Sequence, residues 1–329
     1  MRPRALRLIL AIGFAVAGSG TTSLSWAQTY PSKPIRFIVP FPAGGSTDAV
    51  ARAMQPALEK ILGQPVVVEN RAGAGGTLGV DAIAKAAPDG YTIGIAGAGA
   101  LGVNIGEPMK RPYDPAKDLA PISGAAGSPF ILVAPATLNA NSLGDVIKLA
   151  KAEPGRLSIG HGGNGTAMQL TAMTFVTMAD VKINLVPYRG TAPAVADTIA
   201  GHVQLGIADP PPSMGAIGEG KLKAIAVSST TRFSMFPDVP TFDEQGLKGF
   251  DVTGWFGIAA PGATPRAIVM KLNAAIVAAL NDPEVVRRIR TVGMEPAPMS
   301  PEKFSAYIDN EIAKAEKLQA TGDDKPQNR

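Results

Sequence analysis

Short runs of apolar, mostly β-branched residues alternate along this chain with stretches whose apolar positions recur every three or four residues. Residues 35–39 read as a first strand, and over 48–61 Val50, Met54, Leu58 and Ile61 fall at helical spacing. Pro56 lies inside that helix and is expected to kink or shorten it. Strands over 66–69 and 92–96 flank a helix near 78–87, which the Pro88-Asp89-Gly90 turn closes. A second block sets strands over 131–134, 158–160 and 183–186 around helices near 143–152 and 167–178. Strands over 205–208, 224–228 and 254–259 follow, and three helices beginning at or near Pro265, Pro283 and Pro301 end the pattern.

This alternation predicts an α/β protein with mostly parallel strands. Two such blocks without a flexible linker imply lobes joined by crossing strands, for which 123–133 and 252–260 are the candidates. On that reading residues 28–124 and 252–329 form lobe one, 125–251 form lobe two, and the three final helices pack on lobe one. A hinged pair of this kind has its cleft between the lobes, where strand ends and helix starts converge.

Residues 1–27 are set apart as a secretory signal. Arg2, Arg4 and Arg7 precede a ten-residue apolar run over 8–17, and Ser25-Trp26-Ala27 offers small residues for cleavage before Gln28. The run is too short to span a bilayer, which needs about 20 residues. Removing the leader lowers Lys+Arg from 31 to 28 against 27 Asp+Glu, so the mature chain is nearly neutral. No basic stripe for nucleic acid stands out, nor a basic amphipathic helix for a membrane surface. With 0 Cys and 2 His, the chain has no thiolate chemistry and no His-rich metal site. A soluble, monomeric periplasmic protein without cofactor is expected.

Four glycine-rich loops remain as candidate chemistry. Pro40-Phe-Pro-Ala-Gly-Gly-Ser-Thr-Asp48 joins a strand to a helix, with Ser46 or Thr47 as the natural N-cap. Gly44 and Gly45 let the backbone approach a ligand, and the helix start makes an anion site. Gly160-His-Gly-Gly-Asn-Gly-Thr166 is a second anion-ready helix start; it lacks the Lys-Ser/Thr pair of a phosphate loop. His161 in it is a ligand contact, a loop residue facing solvent, or neither. In Val186-Pro-Tyr-Arg-Gly-Thr-Ala-Pro193, Tyr188 offers a ring and a hydroxyl, and the Gly190 and Thr191 amides are favoured over the Arg189 head group. Gly73-Ala-Gly-Gly-Thr-Leu-Gly79 has dinucleotide-like spacing without the downstream acid, so a tight turn with close helix–strand packing is the better account. No nucleophile elbow, HExxH or paired Cys ligands occur. Asp48, Asp209 and Glu69 stand near strand ends and are expected to cap helices or accept loop N–H bonds.

Taken in order, these loops resemble the Bug family, the periplasmic receptors of tripartite tricarboxylate transporters. The likeness runs from the stretch 35–48 through Gly63-Gln-Pro-Val-Val-Val-Glu-Asn-Arg-Ala-Gly-Ala-Gly-Gly76, Pro88-Asp-Gly-Tyr-Thr92 and Gly163-Asn-Gly-Thr166. It continues in Val186-Pro-Tyr-Arg-Gly190, Phe236-Pro-Asp-Val-Pro-Thr241, Gly254-Trp-Phe-Gly257 and Gly262-Ala-Thr-Pro265, covering essentially the whole mature chain. The resemblance implies a type II periplasmic-binding-protein fold closing on a carboxylated solute, with membrane subunits of a transporter as partners. Carried over by position, it implies contacts from Phe41, Ala43, Gly44, Ser46, Thr47 and Asp48 in lobe one. In lobe two it implies Asn164, Thr166, Tyr188, Gly190 and Thr191; His161 and Asp209 complete the candidate set.

Two departures bear on the ligand. Where members often carry Thr-His after the third strand, this chain reads Gly97-Ala-Gly-Ala-Leu101, a more apolar wall. Where members often place Asp or Asn after the strand at 205–207, it reads Ala208-Asp209-Pro210-Pro211. The expected ligand is an aromatic or aliphatic mono- or dicarboxylate. An orphan carboxylate sensor shares every one of these features, whereas an exported α/β enzyme needs a nucleophile–base pair or cofactor loop that is not visible.

Overall fold

The computed structural model describes residues 30–103 and 111–322; the leader over 1–27 and the chain beyond 322 lie outside the described residues. The first lobe opens with β1 (Ile35–Val39), α1 (Ser46–Leu62), β2 (Val66–Asn70), α2 (Thr77–Ala84) and β3 (Thr92–Gly97). After α3 (Pro115–Asp118), the long strand β4 (Leu119–Pro129) carries the chain toward the second lobe. That lobe comprises β5 (Ile131–Pro135), α4 (Leu143–Ala152), β6 (Ser158–His161), α5 (Ala167–Met178), β7 (Asn184–Pro187), α6 (Thr191–Ala200), β8 (Leu205–Ala208), α7 (Pro210–Gly218) and β9 (Leu222–Val227). Strand β10 (Thr253–Pro261) returns to the first lobe, followed by α8 (Arg266–Asn281), α9 (Pro283–Thr291), β11 (Glu295–Pro296) and α10 (Pro301–Gly322).

Two sheets result, ordered β11-β4-β10-β3-β1-β2 and β7-β6-β8-β5-β9. Both are mixed, which corrects the expectation of mostly parallel strands. β1 pairs in parallel with β2 and β3, and β6 with β7 and β8. The strands next to the crossings run the other way: β10 is antiparallel to β3 and β4, and β5 to β8 and β9.

Each sheet has its own core. In the first sheet's core Ile35, Phe37 and Val39 pack on Val50, Met54 and Leu58 of α1 and on Leu272, Ile276, Val285 and Ile289 of α8 and α9. Phe304 and Ile308 of α10 close the opposite face with Ile38, Val80 and Ile83. Lobe two buries Ile159, Leu205 and Ile207 against Val146 of α4, Phe175 of α5 and the stacked pair Phe242–Phe250. Helix α1 runs 17 residues through Pro56, so that residue does not shorten it. It ends on Gly63 at φ 68°, whose amide donates to the Glu59 carbonyl at 2.9 Å, an αL cap.

At the crossings, Ser228 is fully buried and joins both connections. The Phe130 amide donates to its Oγ at 2.8 Å, and that hydroxyl donates to the Val252 carbonyl at 2.5 Å. The Ser228 amide in turn donates to the Phe130 carbonyl, and the Val252 amide to the Ser228 carbonyl. Gly254 makes room beside them, since a Cβ there would stand 2.3 Å from the Phe130 ring.

Candidate functional site

Between the lobes lies a cavity with about 80 Å³ of space reachable by the centre of a water molecule. One water needs roughly 10–15 Å³ by that measure, so a small organic molecule fits. Four helix beginnings border it: Gly45, Ser46 and Thr47 of α1, Thr166 and Ala167 of α5, Gly190 and Thr191 of α6, and Asp209 at the start of α7. Helix starts carry unpaired amides and a partial positive charge, and here one lobe presents such an end toward the other. The remaining wall is largely apolar, made by Phe41, Ala98, Ala100, Phe130, Met168, Trp255, Phe256 and Met294. Among the described residues that line it, Asp209 alone is ionisable.

The loop before α1 is shaped by Asp48. Its carboxylate accepts from the Gly44 amide at 3.0 Å, from Asn70 Nδ2 at 3.0 Å and from Arg52 Nε at 3.0 Å. Burial would raise its pKa, but bonds from Arg52, Gly44 and Asn70 outweigh that and hold the carboxyl below its usual value. Asn70 also donates to the Phe41 carbonyl at 3.0 Å. Gly45 is the N-cap of α1, without a side-chain cap bond. This replaces the expected Ser46 or Thr47 cap: both fall in the first turn instead, where both line the cavity.

Across the cleft, Asp209 is 2% exposed, with Ser46 of lobe one and Thr191 of lobe two beside its carboxyl group; the Thr191 hydroxyl donates to Met168 Sδ at 3.2 Å. Asp209 Oδ1 is buried and has no partner. Burial raises its pKa against those two hydroxyls. Thr166 caps α5, accepting from the Gln169 amide at 3.3 Å and donating to the Gly163 carbonyl at 2.7 Å.

Of the residues singled out from sequence, Phe41, Ser46, Thr47, Thr166, Gly190, Thr191 and Asp209 thus meet at one cavity. Ala43 and Gly44 are exposed outside it, and Asp48 holds the loop from behind. Asn164 and Tyr188 border a neighbouring recess that shares Gly75, together with the exposed Arg189. The Tyr188 hydroxyl donates to Asp197 Oδ2 at 2.7 Å rather than reaching the cavity. Burial, then the Asp197 bond and charge, push its pKa up to about 12. His161 neither faces solvent nor lines the cavity: it is fully buried, with Nδ1 3.2 Å from the Gly163 carbonyl and Nε2 unpartnered. Glu69 caps nothing; it pairs with Arg36 and Arg71 at the surface.

Other lining residues were not singled out. Gly75 and Gly76 belong to the loop read as a turn, and that reading holds for Gly79, where a Cβ would stand 2.6 Å from Pro40 Cα. Gly75 meets lobe two instead, at φ 62°. The consecutive glycines Gly75-Gly76, free to take up positive φ, were the available signal. Gly97, Ala98, Gly99 and Ala100 do line the cavity, giving the apolar wall expected of that stretch. Among the described residues, no group of three or more His, Cys, Asp or Glu is placed to hold a metal ion, and no helix is long and apolar enough to cross a membrane.

Residues 50–322 match the sequence model of the tripartite tricarboxylate transporter family receptor. The chain belongs to that family. This receptor is 39% identical to protein BugT of Bordetella pertussis over 307 residues, 93% of this chain and 94% of BugT. Among solved structures it resembles an adipate-bound protein of R. palustris, with TM-score 0.84 and 32% identity over 89% of this chain and 98% of that one. It also resembles malate-bound MatC from Rhodopseudomonas palustris, with TM-score 0.83 and 33% identity over 88% of this chain and 99% of that one. The resemblance read from the loops is therefore borne out, as is the periplasmic-binding-protein fold. Members of the family are periplasmic binding proteins rather than enzymes, which sets the enzyme reading aside.

Proposed function

We propose that this receptor captures a mono- or dicarboxylate with an aliphatic or aromatic body and delivers it to the membrane subunits of a tripartite transporter. One observation carries the reading: helix beginnings from both lobes meet at a cavity whose other walls are apolar, with no cationic side chain among the described lining residues. A carboxylate then sits on amides and hydroxyls, while its carbon body packs on Phe41, Met168, Trp255 and Phe256. Ser46, Thr47, Thr166, Gly190 and Thr191 are the proposed contacts. Lobe one (28–124 and 252–329) closes on lobe two (125–251) about the Phe130 and Val252 crossings, as hinge-type receptors do. The adipate and malate held by two relatives of this fold support the ligand class.

A thermal-shift panel tests the proposal. Adipate, malate, succinate and benzoate should include at least one acid that raises the unfolding midpoint in a concentration-dependent way. Stabilisation by tricarboxylates alone, or by amino acids alone, would overturn it.

A further inference from the structure

We propose that Glu311 of α10 is a positioning residue, holding the Trp255 indole as the wall that limits the length of the ligand's carbon body. The inference rests on the carboxylate reading above and adds to it what sets the size of the acid. Trp255 lies on β10 and lines the cavity, whereas no described residue of α10 does. An indole has one N–H donor, and a half-buried indole is oriented by the group that accepts it. Trp255 Nε1 donates to Glu311 Oε2 at 3.3 Å. Lys314 Nζ donates to the other oxygen, Oε1, at 2.7 Å, so the carboxylate is engaged on both sides.

Two rings of the same helix support the indole from behind. Phe304, Tyr307 and Glu311 are spaced by three and four residues, which stacks them along one side of α10. Phe304 and Tyr307 meet Trp255 edge-on, at 88° and 77°, with centroids 6.1 and 5.0 Å away. Phe304 is fully buried and seated against Gly257 of β10, where a Cβ would stand 2.0 Å from its ring. Ring contacts are loosely directional, whereas an N–H bond to a carboxylate favours a near-linear geometry, so the tilt of the wall falls to Glu311. In a cavity with about 80 Å³ open to the centre of a water molecule, that tilt decides whether one more methylene fits.

Calorimetric titration of residues 28–329 tests this with two series, succinate through suberate and benzoate beside 4-ethylbenzoate. That chain carries a single tryptophan, Trp255, so its emission reports on the wall alone. Glu311 is only half-buried near the end of α10, so its substitution spares the core. In Glu311→Leu the affinity for the longer acid relative to the shorter should rise by about threefold or more in at least one series. The emission maximum of the empty protein should move with it. Glu311→Gln keeps an acceptor and should leave both readouts as in the unaltered receptor. Trp255→Phe recedes the wall without touching α10 and should raise the same ratio by about threefold or more. A smaller rise in either variant, an unmoved emission maximum in Glu311→Leu, or an equal change in Glu311→Gln would each overturn the assignment while the acids still bind. Weakening of every acid in the same proportion would do so too, since a helix that only supports the fold lowers all affinities together. Absence of binding by every acid to the unaltered receptor would instead remove the carboxylate reading, and this inference with it.

Discussion

A Cβ built on Gly75 of lobe one would stand 2.1 Å from the carbonyl oxygen of Asn164 in lobe two. The contact is reciprocal, since a Cβ on Gly163 would fall 3.2 Å from Gly75 Cα. Two glycine loops thus touch across the mouth of the cleft, backbone against backbone, where neither side can rotate away. Gly75→Ala should therefore hinder closure and weaken the bound acid by about tenfold or more, since any added methyl needs the lobes to separate. The empty protein should lose only about 1–2 kcal/mol from the positive φ. Titration calorimetry beside chemical denaturation separates the two effects, and an unchanged affinity would remove the closure contact from the site.

Thr47 and Tyr188 should part company on substitution. Thr47 is 5% exposed in the first turn of α1 and lines the cavity, whereas the Tyr188 hydroxyl is committed to Asp197. Thr47→Val keeps the shape and removes one hydroxyl, so affinity for the stabilising acid should fall by about 1 kcal/mol. Tyr188→Phe should leave affinity within about twofold and cost a modest amount of stability through Asp197. The reverse ranking in a titration series would return Tyr188 to the ligand.

How far the chain's pattern discloses this molecule depends on what each element asks of its residues. The strand at Ile35–Val39 and the helices at Leu143–Ala152 and Ala167–Met178 were legible to the residue, because buried faces impose a period. Helices α6 and α7 were not: no helix was assigned over Thr191–Ala200 or Pro210–Gly218, yet Pro193 and the run Pro210-Pro211-Pro212 occupy first turns, where the missing N–H groups have no partner to lose. The anion-ready loops were visible in their glycines and hydroxyls. Which side chain turns inward was not, because Asp48, His161 and Tyr188 are claimed by Arg52, Gly163 and Asp197, partners set by folding rather than by spacing. Asp209 shows the converse. Its neighbours Ser46 and Thr191 come from different lobes, and only closure of the two brings them to one carboxyl group.

Ser228 should be the most sensitive residue of the hinge. Its hydroxyl accepts from Phe130 N and donates to Val252 O, so a single buried oxygen ties together the two connections between lobes. Ser228→Ala leaves that amide and that carbonyl unpaired inside the protein and should cost about 1–3 kcal/mol in equilibrium urea unfolding. A loss under about 0.5 kcal/mol would mean that water replaces the hydroxyl without penalty.

The buried His161 ring should make the receptor sensitive to mild acid. Burial lowers its pKa from 6.5 to about 4, against the Gly163 backbone bond, which favours the charged form. In the unfolded chain the same ring titrates near 6.5, so between pH 6.5 and 4 the unfolded state binds more protons than the folded one. Stability from this residue is thus present in full above pH 6.5 and is lost progressively as the pH falls toward 4. Between pH 7 and 4.5 the loss should reach about 2 kcal/mol. His161→Asn, with no titrating ring, should lose less over the same interval. Urea unfolding of both proteins at the two pH values checks this, and parallel losses would show that the ring is as free to protonate folded as unfolded.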